Sequence, residues 1–213
     1  MAQSALYILA GPKGSGKTTL ALNDATLRDV PFINADIEAQ RLSPRSPAKA
    51  ALAAGRTTLS NIAHQISERN TFALETTLSG KCPLETMRRA LAAEYTIDLT
   101  YVCSSSPELN ITCVAMRVAA GGHHVPDNDI LRRHSRSLLN LPIAASLAER
   151  VRAFDNTKGK KSRLIFEVRD RSVLLVHEEL PDWFKMTFGL DRTIANPTRH
   201  IEERLQALGD LRR

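Results

Sequence analysis

The sequence predicts an α/β fold with a mostly parallel central sheet flanked by helices and a C-terminal antiparallel hairpin. Short apolar runs alternate with longer segments of helical spacing, which is typical of β-α units. Two β-rich runs within 164–180 flank a polar turn, which predicts the hairpin. The 213 residues suffice for one well-buried core. We therefore expect one domain over 1–188, followed by a tail at 189–213 that contains an amphipathic helix.

The strands are predicted from short apolar or β-branched runs that end at turn residues. The first run ends at a glycine-rich loop, the second at Asn-Ala-Asp and the third at Glu-Thr-Thr. Polar residues at strand ends suit the edge of an open sheet, where ligands of α/β folds bind. The predicted strands are 5–10, 31–35, 72–76, 97–103 and 151–156.

The helices are predicted from helical spacing and from their boundary residues. The longest alanine-rich segment favours a helix by composition, and three segments begin at a proline, which suits a first helical turn. Gly121 and Gly122 separate the last two segments and form a joint that suits a closing lid. The predicted helices are 17–28, 46–69, 83–94, 107–119 and 126–148.

Composition narrows the classes of partner. A net charge of +6 favours an anionic partner, although a solvated basic surface gives the same value. Cys82, Cys103 and Cys113 are an odd number without CxxC spacing, so we expect reduced packing residues. No segment approaches the roughly 18 apolar residues of a membrane span. We therefore expect a cytoplasmic protein without a membrane partner, and the 5% aromatic content argues against nucleic acid.

One motif indicates nucleotide chemistry. Residues 11–18 fit G-x-x-x-x-G-K-[ST] between a predicted strand and a predicted helix, which is the context of a phosphate-binding loop. Its amides and the helix N-terminus would face phosphate oxygens, Lys17 would reach the β- and γ-phosphates, and Thr18 would bind Mg²⁺. We therefore predict a P-loop NTPase that binds ATP or GTP with Mg²⁺. The predicted nucleotide-binding residues are Gly11, Pro12, Lys13, Gly14, Ser15, Gly16, Lys17, Thr18 and Thr19.

Two acidic residues follow predicted strands. Asp36 is a candidate base for an attacking hydroxyl, and the alternative is an N-cap of the next helix. Glu75 is a candidate for holding a Mg²⁺-bound water or a substrate hydroxyl. Thr77 and Ser79 add hydroxyl groups, for which turn formation is the alternative role.

The segment 117–136 is rich in arginine and histidine. Phosphoryl transfer needs positive charge at the γ-phosphate, which makes Arg117 and one of Arg132, Arg133 and Arg136 candidates. Three alternatives remain for this segment: a metal site built on its histidines, phosphate contacts to nucleic acid, and a solvated helix face with Asp-Arg pairs.

Together these stretches resemble the zeta toxin family of P-loop kinases, sometimes labelled predicted ABC-type ATPases. The similar segments are GPKGSGKTTLA, FINADIEA, ALETTLSGK, MRVAAGGHHVPDNDILRRHSRSLLNL, DNT at 155–157 and the hairpin up to ELPDWF, within residues 5–188. Well-known members phosphorylate the sugar of UDP-N-acetylglucosamine and pair with a small antitoxin protein. The resemblance therefore implies an alcohol-group phosphotransferase with a nucleotide-sugar substrate.

The resemblance also implies roles for single residues. Asp36 matches the general base, Glu75 and Thr77 match residues that bind the UDP-sugar, and Arg117 matches an arginine that contacts the transferring phosphate. Two positions depart from the family. Ser79 stands where an arginine is usual, and His123 lies near the place of a second phosphate-contacting arginine. Arg132, Arg133 or Arg136 is therefore a candidate to supply this charge, and Arg133 is included among the predicted catalytic residues.

The departures leave two other functions open. One is a P-loop kinase for a different acceptor, such as a nucleotide, an antibiotic or a polynucleotide end. The other is a nucleotide-binding switch module without phosphoryl transfer.

Overall fold

A computed structural model describes residues 3–22, 24–119, 125–158, 161–170, 172–191 and 193–210. The predicted strands are present with small shifts of their ends, and the predicted hairpin supplies two more. The strands are β1 (Ala5–Ala10), β2 (Phe32–Asn34), β3 (Phe72–Thr76), β4 (Thr96–Cys103), β5 (Arg150–Asp155), β6 (Arg163–Arg169) and β7 (Ser172–Val176).

The strands form one sheet in the order β2-β3-β1-β4-β5-β6-β7. The first five strands in this order pair in parallel, and β6 and β7 continue the sheet in antiparallel pairing. The predicted fold class is thus confirmed, including the C-terminal hairpin.

The register of the sheet aligns the strand ends that carry polar residues. Ala10 at the end of β1 pairs with Thr76, and Asn34 at the end of β2 pairs with Glu75. Because parallel strands share one carboxyl edge, the segments that follow β1, β2 and β3 meet there.

Helices flank this sheet. They are α1 (Lys17–Leu22), α2 (Ala35–Leu42), α3 (Ala51–Ser67), α4 (Lys81–Ala92), α5 (Pro107–Ala119), α6 (Asp127–Leu147), α7 (Asp182–Phe188) and α8 (Pro197–Asp210). Within the described ranges, no helix combines the length and the apolar character needed to cross a bilayer.

Several boundaries differ from the predictions. The single helix predicted over 17–28 is divided into α1 and a 3-10 turn at Ala25–Leu27, because the Asp24 carboxylate accepts a hydrogen bond from the Thr26 amide and starts a new turn. The helix predicted over 46–69 begins as a 3-10 turn at Pro47–Ala50 before α3. Ala35, predicted within a strand, is the first residue of α2.

The core extends from the sheet to the C-terminal helices. Trp183, Phe184 and Phe188 of α7 are buried, and Phe166 of β6 stacks against both phenylalanines. Helix α8, in the segment predicted as a tail, adds Ile201 to the same core, together with Leu205.

Candidate active site

The loop after β1 has the backbone of a phosphate-binding loop. Gly14 and Gly16 have φ values of +83° and +95°, which favour glycine. A side chain at Gly14 would collide with the backbone of Asn110, and one at Gly16 would collide with Asn156. Asn156, which follows β5, also donates a hydrogen bond to the Ser15 carbonyl at 2.9 Å. The loop is therefore held in shape by two neighbouring segments.

Lys17 lies folded against this loop. Its Nζ donates hydrogen bonds to the carbonyls of Gly11 and Pro12, each at 2.9 Å, and lies 4.0 Å from Glu75 Oε1. Burial lowers the pKa of Lys17 to about 8, although Glu75 and Asp36 act in the opposite direction. The ammonium is thus a desolvated cation close to the loop that would receive phosphates.

Asp36 is positioned by the start of α2. The Asn34 side chain caps this helix by accepting hydrogen bonds from the amides of Asp36 at 2.8 Å and Ile37 at 3.3 Å. The N-cap alternative for Asp36 is therefore wrong, because Asn34 already occupies that position. Asp36 projects from the first helical turn, and its side chain is 66% exposed.

The Asp36 carboxylate contacts a lysine of the loop. Lys13 Nζ donates to Asp36 Oδ2 at 2.6 Å. Partial burial raises the pKa of Asp36, but Lys13, aided by Lys17 and Arg117, outweighs this effect and holds the pKa below its ordinary value. Asp36 is therefore ionised at neutral pH and surrounded by positive charge.

Thr18 and Glu75 provide oxygen atoms for a metal ion. Thr18 Oγ1 lies 3.5 Å from Oε1 and 3.4 Å from Oε2 of Glu75. Adjacent ligands of an octahedral Mg²⁺ with bonds near 2.1 Å are about 3 Å apart, and Mg²⁺ commonly takes only one or two protein ligands besides phosphates and waters. The hydroxyl and carboxylate therefore fit Mg²⁺, either directly or through water.

A second group of hydroxyls follows β3. Thr77 Oγ1 and Ser79 Oγ are hydrogen-bonded at 2.8 Å, and the Thr76 hydroxyl accepts from the Leu78 amide at 3.1 Å. Leu78 itself is buried with a φ of +55°. The Thr76 hydroxyl thus takes part in the turn, and Thr76, Thr77 and Ser79 all line a cleft.

Of the four arginines in 117–136, two line the cleft that contains the P-loop. Arg117 of α5 and Arg133 of α6 line the same cleft as Lys17. Arg132 instead donates to Asp129 at 2.6 Å on an exposed helix face, so the solvated Asp-Arg alternative fits that residue. Arg136 is exposed and does not line the cleft.

Of the histidines in 117–136, the structure describes only His134. No group of three or more His, Cys, Asp or Glu side chains in the described part of the chain is arranged to hold a metal ion. His134 is buried, with Nε2 at 3.7 Å from Cys103 Sγ. His123, predicted near the substrate, and Gly121 and Gly122 of the predicted lid lie outside the described residues.

Two adjoining clefts at this site concern the proposed ligands. The nucleotide cleft, of about 360 Å³, is lined by the P-loop, Asp36, Glu75, Thr77, Arg117 and Arg133. The second cleft, of about 450 Å³, lies between α3, α4 and the segment after β3, and it contains Ser79 and Arg56. Ala35, Glu75, Thr76 and Thr77 line both clefts, so a ligand in one adjoins a ligand in the other. We call the second cleft the acceptor cleft.

Sequence reasoning did not assign roles to Asn34 and Asn156. Asn34 stands in the Asn-Ala-Asp end of a predicted strand, where an N-cap asparagine is a recognisable helix-start signal. Asn156 belongs to the Asp-Asn-Thr segment, which points to the site only through the family resemblance. Its contact with the P-loop spans 141 residues of sequence and leaves no local signal.

The sheet order and the glycine loop at the end of β1 define the class of fold as a P-loop NTPase. No protein-family profile matches the chain. An uncharacterized protein of Haemophilus influenzae is 29% identical over 133 residues, which cover 62% of this chain and 94% of the relative.

Among solved structures, AvrRxo1-ORF1:AvrRxo1-ORF2 with ATP matches with a TM-score of 0.68 at 14% identity, covering 97% of this chain and 77% of that one. The PezAT chromosomal toxin-antitoxin system of Streptococcus pneumoniae matches with a TM-score of 0.60 at 16% identity, covering 99% and 88%. At these identities the similarity shows a shared fold.

Proposed function

We propose that this protein is a Mg²⁺-dependent kinase of the zeta toxin type, which transfers the γ-phosphate of ATP or GTP to a hydroxyl of a nucleotide-activated sugar such as UDP-N-acetylglucosamine. The observation that carries the proposal is the position of Asp36. Its ionised carboxylate faces the P-loop at the edge of the sheet, next to Glu75 and Thr77, which border both clefts. A carboxylate that lines the nucleotide cleft beside residues shared with the acceptor cleft suits removal of a proton from an acceptor hydroxyl.

The other residues of the nucleotide cleft fit the charge requirements of phosphoryl transfer. Lys17, Arg117 and Arg133 supply positive charge where the γ-phosphate would lie. Thr18 and Glu75 would hold Mg²⁺, which when bound neutralises charge on the β- and γ-phosphate oxygens. Thr77 and Glu75 would orient the acceptor hydroxyl toward Asp36.

The test is a search for the phosphorylated product. The nucleotide-sugar pool of a cell extract is incubated with the protein, Mg²⁺ and ATP, and mass spectrometry is used to find a species that gains one phosphate. Asp36→Asn is the matched control, because it preserves shape and removes the base. A phosphorylated sugar nucleotide formed by wild type and not by Asp36→Asn supports the proposal, whereas equal transfer by both excludes Asp36 as the base. ATP turnover without any phosphorylated product would favour the switch module.

A different acceptor is favoured by one observation. The acceptor cleft is largely apolar, with Leu52, Leu59 and Ile62 in its wall, and Ser79 contributes no charge. Of the described residues that line it, Arg56 carries the one positive charge. A purified panel of nucleotides, antibiotics, polynucleotide ends and sugar nucleotides, each with labelled ATP, separates these acceptors.

We also propose a small antitoxin protein as partner. Support comes from the PezAT structure, whose name states a toxin-antitoxin system, and from the two-component AvrRxo1-ORF1:AvrRxo1-ORF2 complex. Expression of wild type in bacteria should arrest growth, and Asp36→Asn should not. Growth at equal rates with both proteins would argue against a toxin without affecting the kinase assignment.

A further inference from the structure

Lys13 is a buried lysine that the P-loop pattern does not require. The pattern fixes Gly11, Gly16, Lys17 and Thr18 and leaves position 13 free. Lys13 is nevertheless only 7% exposed, and its ammonium points to the Asp36 carboxylate rather than to solvent. A long cationic side chain is seldom buried without a specific partner. The P-loop pattern therefore does not explain the contact between Lys13 and Asp36.

The contact ties one oxygen of the proposed base to the P-loop. A general base must accept the proton of the acceptor hydroxyl through a free oxygen lone pair within about 2.6–3.2 Å. Asp36 Oδ2 already accepts a hydrogen bond from Lys13 at 2.6 Å. The same cation lowers the pKa of Asp36, which makes the carboxylate a weaker base. Lys13 thus holds Asp36 in place and weakens it as a base, while the other carboxylate oxygen and the exposed part of the side chain stay open to an acceptor.

The phosphate loop offers Lys13 a stronger partner. Lys13 lines the nucleotide cleft together with Lys17 and Arg117, where a triphosphate would bring several negative charges. A γ-phosphate carries more charge than one carboxylate and more oxygen acceptors for an ammonium. Because Lys13 belongs to the loop itself, a triphosphate bound there would compete with Asp36 for its ammonium.

We propose that Lys13 is a positioning residue that holds Asp36 at the P-loop and is drawn toward the γ-phosphate when nucleotide binds. The inference rests on the proposed kinase function. Asp36 becomes a stronger base as this cation moves away, and it takes the hydroxyl proton as the acceptor oxygen bonds to the γ-phosphorus. The bond from this phosphorus to the β-γ bridging oxygen breaks, and the nucleoside diphosphate leaves. Lys13 thereby couples nucleotide binding to the strength of the base.

The first test follows the titration of Asp36 by NMR of protein labelled with ¹³C at the aspartate carboxylates. The signal is assigned by its loss in Asp36→Asn. In wild type, a non-hydrolysable ATP analogue should raise the pKa of Asp36, both because Lys13 departs and because phosphate charge arrives. In Lys13→Met, the pKa should start higher and rise less on addition of the analogue. Wild type and Lys13→Met both keep the other charged groups that line clefts together with Asp36 in the described part of the chain, which are Lys17, Arg41, Glu75, Arg117 and Arg133. An equal rise in both proteins would overturn the proposal.

The second test uses turnover. Lys13→Met should lower kcat by at least about tenfold, and the acid limb of its kcat/KM profile should move to higher pH, because that limb reports the base in the free enzyme. Lys13→Arg should restore most of the kcat and move the acid limb back toward its wild-type pH, because it keeps the positive charge. A variant whose only defect was a disrupted loop would not be restored in this way. Lys185→Met, on α7 away from both clefts, is the surface-lysine control. Wild-type turnover with an unmoved acid limb in Lys13→Met would disprove the role of Lys13 and leave the kinase proposal intact, since that depends on the Asp36→Asn result.

Discussion

Lys17 and Arg117 bring positive charge to the nucleotide cleft from opposite environments. Lys17 is enclosed by the P-loop, and its burial keeps the ammonium easy to deprotonate. Arg117 lies exposed on α5 at the open side of the cleft. A guanidinium stays charged at all accessible pH values. The two residues should therefore respond differently to pH and to substitution.

The affinity for ATP should fall as the pH rises above about 8. Above the pKa of about 8, Lys17 is mostly neutral in the free protein, and the phosphates favour its charged form, so binding must take up a proton. Each further pH unit then weakens binding by up to about tenfold. Calorimetry in two buffers of different ionisation enthalpy measures both the affinity and the proton uptake. AMP, which lacks the phosphates that Lys17 would contact, is the control ligand. A constant ATP affinity without proton uptake would contradict this role of Lys17.

Replacement of Arg117 should affect turnover more than binding. We expect Arg117→Ala to lower kcat by at least about tenfold with nearly unchanged ATP affinity, because its charge is needed most when the phosphoryl group is in transfer. Steady-state kinetics and equilibrium nucleotide binding measure the two effects. Arg132→Ala is the matched control, since Arg132 pairs with Asp129 outside the cleft. Unchanged turnover in Arg117→Ala would remove this residue from catalysis.

Residue positions were predictable where the backbone alone determines them. Asp36 lies just after β2, and Glu75 lies near the end of β3. Because these strands are parallel, the strand pattern already predicts that the two carboxylates meet at one edge of the sheet. The choice among Arg132, Arg133 and Arg136 was not predictable, because spacings of three and four leave them on neighbouring helix faces. The packing of α6 against α5 determines which of these arginines lines the cleft, and this packing is a tertiary contact without a local signal. The roles of all these residues remain predictions.

At the scale of elements, the start of α2 contributes both to the stability of the fold and to the geometry of the candidate site. Asn34 ends β2, caps α2 and lines the nucleotide cleft. Because its side chain accepts the hydrogen bond of the Asp36 amide, the cap determines where the candidate base projects.

Loss of this cap should therefore cost both stability and activity. Asn34→Ala should lower the free energy of unfolding by about 1 kcal/mol, since two amides at the helix start lose their acceptor. The kcat should fall as well, because Asp36 is held less firmly. Asn34→Ser, which can still cap, should retain most of both. Chemical denaturation and steady-state kinetics provide the measurements. Equal behaviour of the Ala and Ser variants would show that capping is not what positions Asp36.

Elements with a local signal were easier to predict than short ones. The helix α5 begins at Pro107 as expected, and α6 begins one residue after Pro126. The helix α7 was not predicted, because seven residues are too few to show helical periodicity. Its aromatic residues are buried by contacts with β6, and Gly189 ends it in a left-handed conformation with a φ of +67°.

At the scale of the whole molecule, the order of the strands determines what the site contains. The sequence predicts parallel strands but does not encode that β3 inserts between β1 and β2, which places Glu75 beside the P-loop strand. The C-terminal segment shows a similar limit. Its amphipathic pattern predicts a helix, yet the same pattern suits a surface helix, a partner contact or a helix packed on the core.

The packing of α8 leads to the last prediction, which concerns global stability. Ile201 is fully buried in the core shared with the sheet, so Ile201→Ala should lower the free energy of unfolding by about 2–5 kcal/mol. Gln206→Ala, at an exposed position of the same helix, should change it by less than about 0.5 kcal/mol. Denaturant unfolding followed by Trp183 fluorescence reports the transition, because Trp183 is buried near α8 in the same core. A wild-type transition for Ile201→Ala would mean that α8 is detached in solution and free to bind a partner. A large loss would instead mean that deletion of residues 190–213 unfolds the protein, so that partner binding by this segment must be tested with exposed α8 substitutions.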